Sequence, residues 1–170
     1  MCIRDSINKS YYRVPWDSKN GHRQLNPAYA LVQAQGFLKE AKENLSRRAR
    51  DGKNELPFVS GIYPEYYMNN FHFQSDGWLS SRSANAYEFS TETLFSGTQD
   101  AMQRQALVPI HFWMKEQSKA PSEMRALEVA GGTGRFMTFF RDNYPEMDVS
   151  LLELSPFYLE AAGKLSLIHI

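Results

Sequence analysis

The sequence predicts an α/β fold, in which a mainly helical N-terminal segment precedes a parallel strand–helix–strand–helix unit. Three observations carry that expectation. Apolar residues recur at helical spacing through much of the first two thirds. Two short strand-like runs, Arg125 to Ala130 and Asp148 to Glu153, alternate with helical stretches. The glycine-rich Gly131-Gly132-Thr133-Gly134 joins the first run to the helix after it.

Each element has a local cause. Residues 7–25 are polar and aromatic without a steady period, and read as loop or extended chain. Asn26-Pro27 is a helix start, because Asn caps free amides and Pro suits the first helical position. Leu31, Ala34, Phe37 or Leu38, Ala41 and Leu45 then recur at helical spacing opposite a charged face, in a helix over about 27–50 with Gly52 as its stop. Residues 53–79 form a long irregular stretch dense in aromatic side chains, which favours a functional loop over disorder. Asp76-Gly77 reads as a turn within it.

Ser80 or Ser81 starts a helix to about Phe95, and Ser96 or Thr98 caps the next, about 98–117. Met102, Ala106, Ile110 and Met114 give that helix an apolar stripe expected in the core, and Pro109 is expected to kink it. Residues 118–123 read as a linker. A helix at about 134–143 carries Phe136, Phe139 and Phe140; Tyr144-Pro145-Glu146 turns the chain, and Ser155-Pro156 opens the last helix.

Composition narrows the function. Nineteen basic and nineteen acidic residues balance, which argues against a dedicated nucleic-acid binder or a polybasic membrane anchor. No apolar run is long enough for a transmembrane segment. The one cysteine, Cys2, cannot support a disulfide framework or a multi-cysteine metal site. No metal site is expected.

Both ends have an unusual origin. Met1-Cys2-Ile3-Arg4-Asp5-Ser6 and Leu165-Ser166-Leu167-Ile168-His169-Ile170 read as translations of one transposon-end oligonucleotide in its two orientations. The natural stretch is therefore expected at 7–164, with 1–6 and 165–170 outside the fold and the true N-terminus missing. On that reading the helical extension spans 7–122 and a truncated cofactor-binding domain 123–164. Two parallel strands cannot bury both sheet faces, so poor stability and no activity are expected of such a fragment.

The chemistry concentrates in Glu128-Val129-Ala130-Gly131-Gly132-Thr133-Gly134. Glycines between a strand and a helix permit torsions and close approach that side chains block. The helix start offers free amides to a ligand's polar groups. Glu153 follows Gly134 by nineteen positions at the end of the next strand, where an acid holds a ribose diol in doubly wound folds. The unit thus reads as the start of a Rossmann-like doubly wound parallel sheet, about two strands of it. The dinucleotide pattern G-x-G-x-x-G fails, since Phe136 and Met137 follow Gly132-x-Gly134. An NAD- or nucleotide-binding oxidoreductase stays as one alternative, and a non-catalytic helical interaction module with a degenerate nucleotide fold as another.

An acid followed by small residues at every second place, Glu128, Ala130, Gly132 and Gly134, resembles the first motif of class I S-adenosylmethionine-dependent methyltransferases. Ala130 departs from it, standing where the family more often has Gly. Leu127 to Phe140 and Leu154-Ser155-Pro156-Phe157-Tyr158-Leu159 resemble one branch of that family, found in photosynthetic bacteria and plastid-bearing eukaryotes. Tyr63 through Gln105 resembles that branch's helical N-terminal extension, so the resemblance covers roughly 60–164.

The resemblance implies S-adenosyl-L-methionine as cofactor, with a small molecule as the expected methyl acceptor; together with the balanced charge and the lack of a long apolar run, no nucleic-acid partner and a soluble protein of the cytoplasm or plastid stroma are expected. It implies that Glu153 binds the ribose hydroxyls and that Gly131, Gly132, Thr133 and Gly134, with Ala130, pass under the methionine and sugar. Glu128 would order the loop amides or meet the methionine ammonium, and Leu154 and Ser155 would lie near the adenine. It names no catalytic residue. Tyr67, His72, Trp78 and Tyr87 are lid or substrate candidates ahead of this unit; packing is the ordinary reading of the three aromatic rings, and a hydrogen-bonded structural role that of His72.

Overall fold

The computed structural model describes residues 3–16, 26–49, 61–70 and 76–167. Seven helices and a two-stranded sheet appear among them, in the order α1 (Ile3–Asn8), α2 (Pro27–Arg48), α3 (Ser81–Leu94), α4 (Gln99–Gln105), α5 (Leu107–Glu116), β1 (Arg125–Val129), α6 (Arg135–Asn143), β2 (Asp148–Leu152) and α7 (Pro156–Leu167). Short 3-10 turns cover Glu65–Met68 and Pro121–Glu123. The fold is mixed helix and strand, mostly helical.

The strands pair in parallel, from Arg125 opposite Asp148 to Val129 opposite Leu152. Helix α6 is the crossover between them. Its apolar side buries Phe139 and Phe140 in a core with Tyr12, Leu107, Val108 and Met147. Ala126 and Val149 face this core from the sheet. The other face carries Leu127, Val129 and Leu152, all more than half exposed. Strand alternation explains the split, since successive side chains point to opposite faces.

Caps follow the sequence closely. The Asn26 side chain accepts the Ala28 N–H at 3.0 Å and starts α2. The Ser80 hydroxyl oxygen accepts the Ser83 N–H at 2.9 Å and starts α3. Gly77 has φ +63, the left-handed torsion that suits a turn glycine. Asp76 beside it takes a two-pronged bond from Arg82, at 2.8 and 2.7 Å. Arg82 also reaches Glu40 on α2 at 3.0 Å, which ties α2 to α3.

Several expectations are corrected. The helix expected over 98–117 is two helices that meet at Ala106. Pro109 explains the position of the break, because its ring clashes with the carbonyl four residues earlier, that of Gln105. Thr98 sits at the start of α4 but caps nothing; its hydroxyl donates to the Phe95 carbonyl at 2.6 Å. Glu92 of α3 accepts the Gln99 and Asp100 N–H groups instead, at 3.1 and 2.9 Å.

Met102 is 44% exposed, whereas Ile110 and Met114 pack at the core. The stripe of α2 is not buried, since Leu31, Leu38 and Leu45 are each more than 60% exposed. Helix α2 meets α3 through Glu40, Glu43 and Arg82, so its docking side is the charged one. Residues 3–8 are helical, with Ser6 fully buried and Ile7 against the core, and α7 runs on through Leu167. Gly52 lies outside the described residues, as do 53–60 and 71–75.

Candidate functional site

The site forms where β1 ends. Ala130, Gly132 and Gly134 all take left-handed torsions, with φ of 58, 59 and 74. The Gly131 N–H donates to the Leu152 carbonyl at 3.2 Å, which extends the parallel pairing two residues past β1. The Gly134 N–H then closes the turn onto the Gly131 carbonyl at 2.9 Å.

The glycines serve different ends. A Cβ on Gly131 would stand 2.6 Å from the Leu151 side chain, so this position is small because β2 is close. A Cβ on Gly134 would meet Ala162 at 3.0 Å, so this one lets α7 approach. Around a Cβ on Gly132 there is nothing within 4 Å among the described residues. The turn is packed on two sides and open at Gly132.

Glu153 closes the turn from the end of β2. Its Oε2 accepts the Gly132 N–H at 2.8 Å. Its Oε1 accepts the Ser155 N–H at 2.9 Å and the Tyr67 O–H at 3.0 Å. The acid, the glycine turn and the 61–70 segment therefore meet at one carboxylate. Burial pushes the Tyr67 phenol above its usual range, and the accepting Glu153 carboxylate pushes it further.

Aromatic rings wall this point. Tyr67 stacks between Tyr63, at 5.8 Å, and Trp78, at 6.1 Å. Trp78 and Tyr87 both lie against Tyr158 of α7, at 5.6 and 5.5 Å. Burial raises the Tyr87 phenol, and the nearby Glu153 charge adds to it. Ser155 is fully buried. Its hydroxyl donates to the Trp78 carbonyl at 2.7 Å and accepts the Tyr158 N–H at 3.3 Å, so it caps α7 and fastens the Trp78 segment. Leu154 beside it is about half exposed.

Two further acids reach the turn region. The buried Thr133 hydroxyl donates to Glu88 of α3 at 2.9 Å. Glu128 sits on the inner, half-buried face of β1. Burial raises its carboxyl from the usual 4.5 to about 7. Its Oε2 is buried without a hydrogen-bond partner among the described residues. A cationic group brought beside it would restore the carboxylate, which is the chemistry an ammonium supplies.

Arg135 opens α6 and is 4% exposed. A cation at a helix N-terminus opposes the helix dipole. Asp100 offsets it with a two-pronged ion pair, one bond of which measures 3.0 Å from Nε to Oδ1. Phe139 lies under the guanidinium at 4.6 Å. This pair fixes α4 against the helix that carries the turn.

The sequence expectations for Glu128, Ala130, Gly131, Gly132, Thr133, Gly134, Glu153 and Ser155 fall on one contiguous region, and Tyr67, Trp78 and Tyr87 border it. His72 lies outside the described residues. Glu88, Tyr158 and the Asp100–Arg135 pair were not singled out as site residues. A lone arginine directly after the glycine turn, on an otherwise aromatic helix face, was a usable signal for the last of these. A cavity of about 580 Å³ lined by Tyr11, Tyr12, Arg13, His111, Asn143 and Tyr144 shares no residue with the turn.

Among the described residues no cluster of acidic, histidine or cysteine side chains is arranged to hold a metal ion. Nor is any helix there long and apolar enough to cross a membrane. The chain matches no protein-family model, no curated protein and no solved structure.

Proposed function

We propose that residues 123–164 form the beginning of a Rossmann-like S-adenosyl-L-methionine-binding domain, and that the chain is the N-terminal part of a methyltransferase acting on a small molecule. The observation that carries this reading is the Glu153 carboxylate, which accepts the Gly132 N–H at 2.8 Å beside the open side of the turn. A ribose diol needs an acid at the end of the second strand with free space over the glycines, and both are present here.

The residues fit the cofactor's parts. Glu153 takes the ribose hydroxyls. Gly132 admits the sugar and methionine chain at close range. Glu128 takes the ammonium, and Leu154 offers an apolar edge to the adenine. Ser155 is tied to Trp78 and Tyr158, so it acts by holding the wall and not by touching the ligand.

The cofactor supplies an electrophilic methyl on a sulfonium. The protein's part in such an in-line displacement is to orient the reactants and exclude water. The Trp78 ring, fastened through Ser155 and lying against Tyr158, would do the second.

Calorimetric titration of the chain with S-adenosylhomocysteine and with NAD tests the reading. Saturable binding of the first and not the second is expected. Binding of NAD alone would replace the reading with a nucleotide-dependent oxidoreductase. Binding of neither would favour a helical interaction module.

A further inference from the structure

Glu153 is already nearly full. A carboxylate offers about four lone-pair directions, two on each oxygen. Oε1 uses both, on the Ser155 N–H and the Tyr67 O–H. Oε2 uses one, on the Gly132 N–H. One direction remains, whereas a vicinal diol held by both hydroxyls needs two.

The two backbone donors are fixed by the fold. Gly132 belongs to the turn that β1 and β2 pin, and Ser155 to the capped start of α7. Tyr67 is the one donor on a separate segment, in the short 3-10 turn Glu65–Met68. Its O–H can leave with that segment while the sheet stays intact.

We propose that Tyr67 is a stand-in for one ribose hydroxyl and gates the Glu153 site, so that a diol-bearing ligand must displace its phenol from Oε1 before it binds with both hydroxyls. This rests on the reading of Glu153 as the ribose acid. The stacking of Tyr67 on Tyr63 and Trp78 gives the closed position its own stabilisation. The gate therefore opposes binding at the cost of one charge-assisted hydrogen bond plus ring contacts. It also makes the enzyme selective, because a nucleoside without the diol cannot replace the bond that it breaks.

Tyr67→Phe tests the gate. The ring and its stacking are kept, and only the competing donor is removed. A hydrogen bond to a charged group is worth roughly 1.5 kcal/mol, or about tenfold in affinity. S-adenosylhomocysteine and adenosine should each bind the variant about tenfold more tightly than the parent chain. The gain should vanish for 2′,3′-dideoxyadenosine, which lacks the hydroxyls.

Equal or weaker binding of both diol ligands by the variant would overturn the gate and leave the ribose reading standing. An equal gain for the dideoxy ligand would also overturn it, because the benefit would then not pass through the diol. Failure of all three ligands with both proteins would overturn the ribose reading and the gate together. Trp78 fluorescence in the parent supplies a check that needs no variant. Adenosine should change the emission as Tyr67 leaves the stack, and saturable binding with no change would count against the gate.

Discussion

Ala130 is the one non-glycine residue in the site turn held at a left-handed torsion, φ 58. An L-residue with a Cβ is disfavoured there by roughly 1–2 kcal/mol, because the Cβ crowds the following carbonyl. Replacing it with Gly removes that strain. Gly loses more backbone freedom on folding, which costs back roughly 0.5–1 kcal/mol. The Ala130 methyl is exposed, so little burial is lost. Ala130→Gly is therefore expected to stabilise the fold by about 0.5–1 kcal/mol, the balance of those two effects.

For a chain of this size that raises the thermal midpoint by about 2–4 °C at most. Paired urea titrations followed by circular dichroism measure it directly, with the slope unchanged if only stability moves. A lower midpoint at constant slope would refute the reasoning, because the torsion at 130 would then not be strained. Gly134→Ala is the matched opposite. It adds a Cβ at φ +74 and 3.0 Å from Ala162, and should lower the midpoint.

Other consequences are equally direct. Asp100→Asn removes a charged partner from the buried Arg135 guanidinium and should cost about 3 kcal/mol; an unmoved urea midpoint would show that the pair does not anchor α4 to α6. Glu128 should make stability depend on pH. Its folded carboxyl, raised to about 7 from 4.5, holds a proton more tightly than the unfolded chain does. That contribution is complete below about pH 4.5, declines as pH rises to about 7, and is then gone. Glu128→Gln should flatten the decline across that window in denaturation at pH 5 and pH 8, and an identical decline in the variant would assign it elsewhere.

The strands and the turn were legible because their signals are local. Short strand-like runs bounded by turn signals, a glycine cluster and Ser155-Pro156 each determine their own geometry, and β1, α6, β2 and α7 begin within a residue or two of where those signals place them. The helix break at Ala106 was half legible. Pro109 announces a fault, but only the clash with the Gln105 carbonyl puts it three residues earlier.

Tertiary choices were not readable. The α2 stripe of Leu31, Leu38 and Leu45 has the right period for burial, yet Arg82 draws the opposite, charged side onto α3. Period reports which residues share a face, not which face finds a partner. At the site, the spacing of Glu153 was visible, whereas its bonds to Gly132 and Tyr67 span 21 and 86 positions and leave no local trace.

The central claim is that Glu153 and the Gly132 turn together hold a ribose. Titration of S-adenosylhomocysteine into the parent chain and into Glu153→Ala, with folding of both checked by circular dichroism, tests it most directly. Two hydrogen bonds to a charged acceptor are lost, at roughly 1.5 kcal/mol each, and the Tyr67 bond that the ligand displaces in the parent offsets one of them, so binding about tenfold weaker is expected in the variant. Tight binding that survives Glu153→Ala would contradict the account.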